Sequence, residues 1–233
     1  MEMYYRIAGL TVKMDTFGRT AAQAEAYRCQ PFEPVDMQIC SNWDQHKERY
    51  PNMTDEVGEY LYSGASFYRQ LLNYGGMMLH SSAVVVDGKA YLFTADPGTG
   101  KSTHTSLWLE QFGDRAYILN DDKPAIRREE DGWFAYGTPW SGKYDISVNT
   151  RVPLAGIAVL ERGGENSIRP FGGIPAIHAI LKQCNRPKAT EYREKLLSLL
   201  DQLITQVPIW KLQCTISPQA AQIAYEAMCP KGE

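Results

Sequence analysis

The run Gly98-Thr99-Gly100-Lys101-Ser102 lies between an apolar strand pattern and a helical one, and it constrains this chain more than any other segment. Two glycines one residue apart permit a turn that side chains with a Cβ resist, and such a turn can aim several N–H groups at one point. A helix starting directly after it adds unpaired amides and the positive end of its dipole. This is the chemistry of a phosphate-binding loop, with Lys101 placed to reach β/γ-phosphates and the Ser102 hydroxyl placed to bind Mg²⁺. The full pattern, G-x-x-x-x-G-K-[ST], has Ala95 where its first glycine would stand. That asks only that residue 95 keep a negative φ. The expected polyphosphate contacts are Asp96, Pro97, Gly98, Thr99, Gly100, Lys101, Ser102 and Thr103.

The surrounding sequence reads as α/β. Ser82–Val86 is a buried-type strand, Asp87-Gly88 a two-residue hairpin turn, and Lys89–Thr94 the returning strand. Thr103–Phe112 is helical, and the short apolar strand Ala116–Leu119 ends in Asn120-Asp121-Asp122. Trp133–Tyr136 and Leu154–Leu160 are further strands. Helices are expected at Pro175–Cys184, Thr190–Gln206 and Pro218–Met228, with a strand at Ile209–Cys214. Toward the N-terminus, Tyr5–Met14 and Val35–Cys40 look β-rich, and Ser41–Asn52 reads as loop. Thr54-Asp55-Glu56 opens a helix whose apolar face is Val57, Tyr60, Leu61, Phe67, Leu71 and Leu72, with Gly75-Gly76 as its stop. With no repeat and no linker, the expectation is a single domain: a β-rich extension over 1–53 and a nucleotide-binding core over 54–233.

Composition narrows the classes. A chain of 233 residues with 24 Lys+Arg against 27 Asp+Glu has a net charge of −3 and no basic stripe, so no nucleic-acid partner is expected. No apolar run approaches the roughly 20 residues of a membrane span. Met1–Arg6 has neither a basic n-region nor an apolar h-region, so no signal peptide is expected. The five cysteines (29, 40, 184, 214 and 229) are widely spaced with no CxxC, which fits reduced thiols in a cytoplasmic protein.

A nucleotide site needs a carboxylate for its metal, and Asp121-Asp122 leave a strand end as such residues do. Neighbours at a strand end point in different directions, so one could hold Mg²⁺ while the other accepts a proton from an attacking hydroxyl. His80 sits just before the Ser82–Val86 strand, and His104, one turn into the helix, reads as a helix-surface residue.

In order, Leu79-His80, Val84-Val85-Val86-Asp87, the hairpin into Ala95–Ser102, and Asn120-Asp121-Asp122 resemble the HPr kinase/phosphorylase catalytic domain and the ATP-dependent phosphoenolpyruvate carboxykinases. The small HPr-kinase-like proteins are more similar still. Like them, the chain has Gly137-Thr138-Pro139-Trp140-Ser141-Gly142-Lys143, then Arg151-Val152-Pro153-Leu154, Leu160-Glu161-Arg162-Gly163 and Val207–Cys214. The resemblance spans roughly Leu79 to Met228. It implies a PEP-carboxykinase-like mixed sheet with a P-loop, an N-terminal β extension and C-terminal helices. It also implies an ATP- or other NTP-dependent, Mg²⁺-dependent kinase acting on a hydroxyl of a small molecule, a peptide or a protein serine, with phosphorolysis, phosphatase action or nucleotide binding without turnover as alternatives. On that resemblance Lys101 and Ser102 take phosphate and metal, Asp121 and Asp122 supply metal binding and the base, and His80 orients one of them or shares its proton. Arg151 would stabilise the transferred phosphoryl group, Gly142 and Lys143 would shape the acceptor side, and Trp140 would either stack on a ligand or plug the core edge. Oligomerisation is left open. Ala95 and Pro97 depart from the usual loop, and the oxaloacetate-binding arginines have no counterpart, so decarboxylation is not implied.

Overall fold

A computed structural model describes residues 3–31 and 33–229. The chain begins with β1 (Met3–Ile7) and β2 (Leu10–Met14), then α1 (Gly18–Ala24), β3 (Met37–Ile39) and α2 (Asp55–Leu71). Next come β4 (Gly76–Met78), β5 (Ser81–Val86), β6 (Lys89–Thr94), α3 (Lys101–Phe112), β7 (Ala116–Asn120), β8 (Ala125–Glu129) and β9 (Gly132–Tyr136). The remainder is β10 (Arg151–Arg162), β11 (Ser167–Pro170), α4 (Gly173–Lys182), α5 (Thr190–Gln206), β12 (Ile209–Cys214) and α6 (Pro218–Met228).

Strands β1, β2 and β3 make a small sheet of their own, and the other nine form a mixed sheet in the order β4-β8-β9-β10-β6-β5-β7, with β12 on β10 and β11 on β12. The long strand β10 organises it. One edge runs parallel to β6. The other edge meets β9 antiparallel over Arg151–Pro153 and then β12 in parallel from Ile157 onward. The Asp87-Gly88 turn between β5 and β6 has φ of 50° and 74°, the left-handed pair that a two-residue hairpin requires.

Because strand side chains alternate, β5 and β6 feed two cores at once. Ala83, Val85, Ala90 and Leu92 face Ile180, Leu196, Leu200 and Leu203 of α4 and α5. Val84, Val86, Tyr91 and Phe93 face Trp108 of α3 and Ala221 and Ala224 of α6. Burial on both faces explains why all six residues of β5 are apolar or small. A third core joins the N-terminal sheet to α2, Phe134, Tyr136 and Trp140.

Thr54 caps α2, its hydroxyl accepting from the Val57 amide at 3.4 Å, and Gly75 closes the following turn at φ 68°. The buried face of α2 differs from the expected one: Val57 and Leu61 are 41% and 42% exposed, while Tyr60, Phe67, Tyr68 and Leu71 pack inward. Strands β4, β8 and β11 and helix α1 had no expectation in the sequence. No disulfide joins the described cysteines, and no described helix is long and apolar enough to cross a membrane.

Candidate active site

Three chain segments end at one edge of the sheet. Strand β6 delivers Ala95–Gly100, β7 delivers Asp121 and Asp122, and His80 immediately precedes β5, which pairs with both strands. The antiparallel register Ser81↔Thr94 and Ala83↔Asn120 makes β6 and β7 parallel to one another, so their C-terminal ends coincide. Loops at such ends are where open α/β sheets bind ligands.

The turn after β6 has the shape the glycines predict. Gly98 and Gly100 have φ of 78° and 115°, and a Cβ built on either would meet open space. Either substitution would therefore strain the backbone without filling a gap. The first hydrogen bond of α3 runs from the His104 amide to the Gly100 carbonyl at 2.9 Å. The amides of Lys101, Ser102 and Thr103 ahead of it have no partner among the described residues. They are the ordinary orphan donors of a helix start, left facing solvent beside a lysine.

Arg162, at the end of β10, holds this turn from behind. Its Nε donates to the Thr99 carbonyl at 3.0 Å and its Nη2 to the Gly98 carbonyl at 2.5 Å. Tying carbonyls to one side favours amides on the other. Thr99, Leu160 and Arg162 border two cavities that flank the turn, about 660 Å³ toward α4 and about 470 Å³ between α3 and the end of β12. The second has an apolar wall of Leu107, Cys214 and Ile216.

Lys101 is half-buried, and its ammonium donates to the Ala95 carbonyl at 3.1 Å. Burial lowers its pKa, against the opposing charges of Asp122, Asp121 and Asp96. The acidic pair therefore stands within electrostatic reach of the lysine.

The two aspartates face different neighbours. Asp121 accepts from the Ser82 hydroxyl at 2.6 Å, and that hydroxyl is 2.8 Å from Thr105, which places Asp121 toward α3. Asp122 faces His80, with Oδ1 3.3 Å from Nε2, and its other oxygen takes the Lys123 ammonium. Burial pushes the Asp122 carboxyl up, but the His80 hydrogen bond and the Lys123 charge outweigh it and leave the pKa below the usual value.

Asn120 sets this corner. It is fully buried, and its side-chain oxygen accepts from the amides of Asp122 at 3.1 Å and Lys123 at 2.8 Å. Its NH₂ donates to the Thr138 carbonyl at 2.9 Å.

A second chain of bonds runs behind His80. Lys182 and the Gln183 amide nitrogen hold the Asp96 carboxylate, and the Gln183 oxygen lies 3.1 Å from His80 Nδ1. Gln183 spends its NH₂ on Asp96, so its oxygen must accept and His80 Nδ1 must carry a proton. The other ring nitrogen, Nε2, is the one that faces Asp122.

The segment after β9 closes the site from the N-terminal side. Gly142 has φ 79°, and a Cβ there would lie 2.9 Å from the Asp122 Cβ. Its carbonyl accepts from Arg19 and from Gln23 at 3.0 Å, and its amide donates to the Tyr60 oxygen at 3.1 Å. The N-terminal extension thus reaches the acidic pair through one glycine.

Several expected residues are placed elsewhere. Arg151 opens β10, whereas Val159, eight positions on, is the residue opposite Thr94 at the loop end. The Arg151 guanidinium is held by Glu129 and Asp131 at 2.9 Å over the Phe134 ring, so the structure does not bring it to the Gly98–Gly100 turn. Asp96 turns its carboxylate to Lys182 and Gln183, away from the helix amides. Trp140 is fully buried, stacked on Phe67 at 4.8 Å with its indole nitrogen 3.2 Å from the Ser63 hydroxyl, which makes it a core plug. Lys143 is exposed beside Tyr144. His104 is not on the surface: it is 2% exposed, accepts from the Trp108 indole at 3.1 Å, and burial lowers its pKa to about 4. Ser82, Lys123 and Gln183, by contrast, contribute geometry that no motif signalled, and Asn120 and Arg162, which stand in the quoted motifs, take positions for which those motifs assigned them no role.

No protein-family model matches the chain, and no curated protein matches it. Among solved structures, an HPr(Ser) kinase/phosphatase from Coxiella burnetii covers 64% of this chain and 95% of its own, with TM-score 0.39 and 11% identity. That is a distant structural relationship, and the chemistry of the site stands on its own geometry.

Proposed function

We propose that this site transfers a phosphoryl group from Mg²⁺-bound ATP, or another NTP, to a hydroxyl acceptor. The observation that carries the reading is the meeting, at one sheet edge, of unpartnered amides at Lys101–Thr103 and the Lys101 ammonium with the end of a parallel strand that carries two carboxylates. Amides and the ammonium suit a polyphosphate. Among the described residues no three His, Cys, Asp or Glu side chains form a metal cage. This fits Mg²⁺, which is commonly held by one or two carboxylates together with substrate phosphates. Ser102 and Asp121 would hold it, and when bound it neutralises charge on the transferring phosphate.

The remaining roles belong to the chain. Loop amides and Lys101 hold the β/γ-phosphates in line with the acceptor. Arg162 keeps the turn in its binding shape. Asp122 takes the acceptor proton, and His80, fixed by Gln183, shares it. Positioning and charge stabilisation supply most of the rate in such transfers. The extension over 1–53 and the core over 54–233 act in this reading as one unit, joined through Arg19, Gln23 and Gly142.

The test is transfer of label from γ-³²P-ATP. Label is expected in an acceptor ester. Label found only as free phosphate, with hydroxyl acceptors of each class present, would contradict the reading.

A further inference from the structure

A cavity of about 350 Å³ is bordered by Lys123, the partner of Asp122, and by no residue of the Ala95–Thr103 segment. Its walls are the aromatic rings of Tyr60, Tyr68 and Trp140, and its charged groups are Lys123 and Arg186. None of its lining residues is a carboxylate. The Lys123 ammonium sits 5.2 Å from the Tyr60 ring centre and bonds Asp122, so it stands at the boundary between cavity and base. Arg186 has no hydrogen-bond or ion-pair partner among the described residues. The volume is at the small end of ligand pockets, which run from roughly 300 to 1,000 Å³.

Together Lys123, Arg186 and Asp122 carry a net single positive charge, which matches a monoanion. Arg186 is exposed at the rim of the cavity, and an arginine fork pairs a carboxylate through two parallel hydrogen bonds. Drawing the Lys123 ammonium toward the occupant would also release the Asp122 oxygen it now covers. We propose that this cavity takes the acceptor and that the acceptor is an alcohol bearing a carboxylate, bound between Lys123 and Arg186 with its hydroxyl turned to Asp122.

This rests on the phosphoryl-transfer reading. In the step itself, the acceptor oxygen forms a bond to the γ-phosphorus of the NTP and the bond from that phosphorus to the β–γ bridging oxygen breaks. Its electron pair stays on the β-phosphate, and the hydroxyl proton goes to Asp122. The products are a phosphorylated hydroxy acid and the nucleoside diphosphate.

Matched probes test it. Calorimetry on the full chain, loaded with Mg²⁺ and a non-hydrolysable ATP analogue, would compare glycerate with glycerol and lactate with 2-propanol. Each acid should bind at least tenfold more tightly than its alcohol. Arg186→Gln should bring the acid-to-alcohol ratio toward one, and Arg186→Lys should keep part of it. Acids that bind no better than alcohols, or a preference that survives Arg186→Gln, would overturn the proposal. The γ-³²P assay separates the two readings. Acids that bind with this preference but never gain label refute transfer and leave the carboxylate site standing. Label passing equally to acid and alcohol refutes the carboxylate site and leaves transfer standing.

Discussion

The Lys101 ammonium donates to the Ala95 carbonyl across 3.1 Å, closing the turn at the position where the strict phosphate-loop pattern begins with glycine. Residue 95 therefore contributes a carbonyl, which alanine supplies as well as glycine does. The lysine is held inside the turn it would serve.

Lys101→Ala should weaken Mg²⁺–NTP binding by roughly 10- to 100-fold, the range of about 1.5–3 kcal/mol for a hydrogen bond to a charged group. Titration calorimetry measures the affinity, and thermal unfolding should stay close to wild type.

The aspartates should separate. Asp122→Asn should lower turnover by about 10²-fold or more, the lower bound of general-base effects, with NTP affinity largely kept. Asp121→Asn should instead raise the Mg²⁺ concentration needed for half-maximal binding. Turnover and binding measured across a Mg²⁺ series distinguish them.

The two arginines at the ends of β10 should behave oppositely. Arg162→Ala frees the Gly98 and Thr99 carbonyls and should weaken nucleotide binding about tenfold, close to the lower end of the about 1.5–3 kcal/mol for a hydrogen bond to a charged group. Arg151→Ala removes exposed ion pairs to Glu129 and Asp131 and should leave nucleotide binding unchanged. Parallel titrations of both variants decide the assignment.

Glu59 is 1% exposed between α1 and α2, and only its Thr20-bonded oxygen has a hydrogen-bond partner among the described residues. Burial raises its pKa from 4.5 to about 7, against the Thr20 and Ser63 hydroxyls. The folded state thus keeps a proton that the unfolded chain releases near pH 4.5. Wild-type stability from this group is intact below that pH and falls as pH rises toward 7, by on the order of 3 kcal/mol. Glu59→Gln does not titrate, so its stability relative to wild type should rise through that window and level off above it. Urea unfolding at several pH values reads this directly.

Trp140→Ala should cost about 3–5 kcal/mol of unfolding free energy, as a large buried aromatic does. A Trp that served only a ligand would leave the urea midpoint near wild type.

The Gly98–Gly100 turn and the helix start at Lys101 were legible because glycine spacing and a helix start are local. So was the β5–β6 hairpin, which needs only Asp87-Gly88 between apolar runs. Strand β8 was hidden because Arg127 and Arg128 interrupt it. Arg127 lies in the interior by donating to the carbonyls of Ala8 and Tyr74, partners distant in sequence. The outward turn of Val57 and Leu61 depends on what packs against α2: Gly58 lies under the Trp43 ring, and an added Cβ would come within 2.2 Å of it. Arg162 and Arg151 sit on one strand, and only the register Val159↔Thr94 tells which end meets the loop. Asn120, Ser82 and Gln183 act through bonds between segments, which no single stretch of sequence displays.

The most direct measurement is anomalous scattering from crystals soaked with Mn²⁺ and a non-hydrolysable ATP analogue. The account predicts one Mn²⁺ peak in contact with the Ser102 hydroxyl, Asp121 and the analogue's phosphates, with those phosphates on the Lys101–Thr103 amides. Phosphates bound at another surface, or a metal peak away from Ser102 and Asp121, would contradict it.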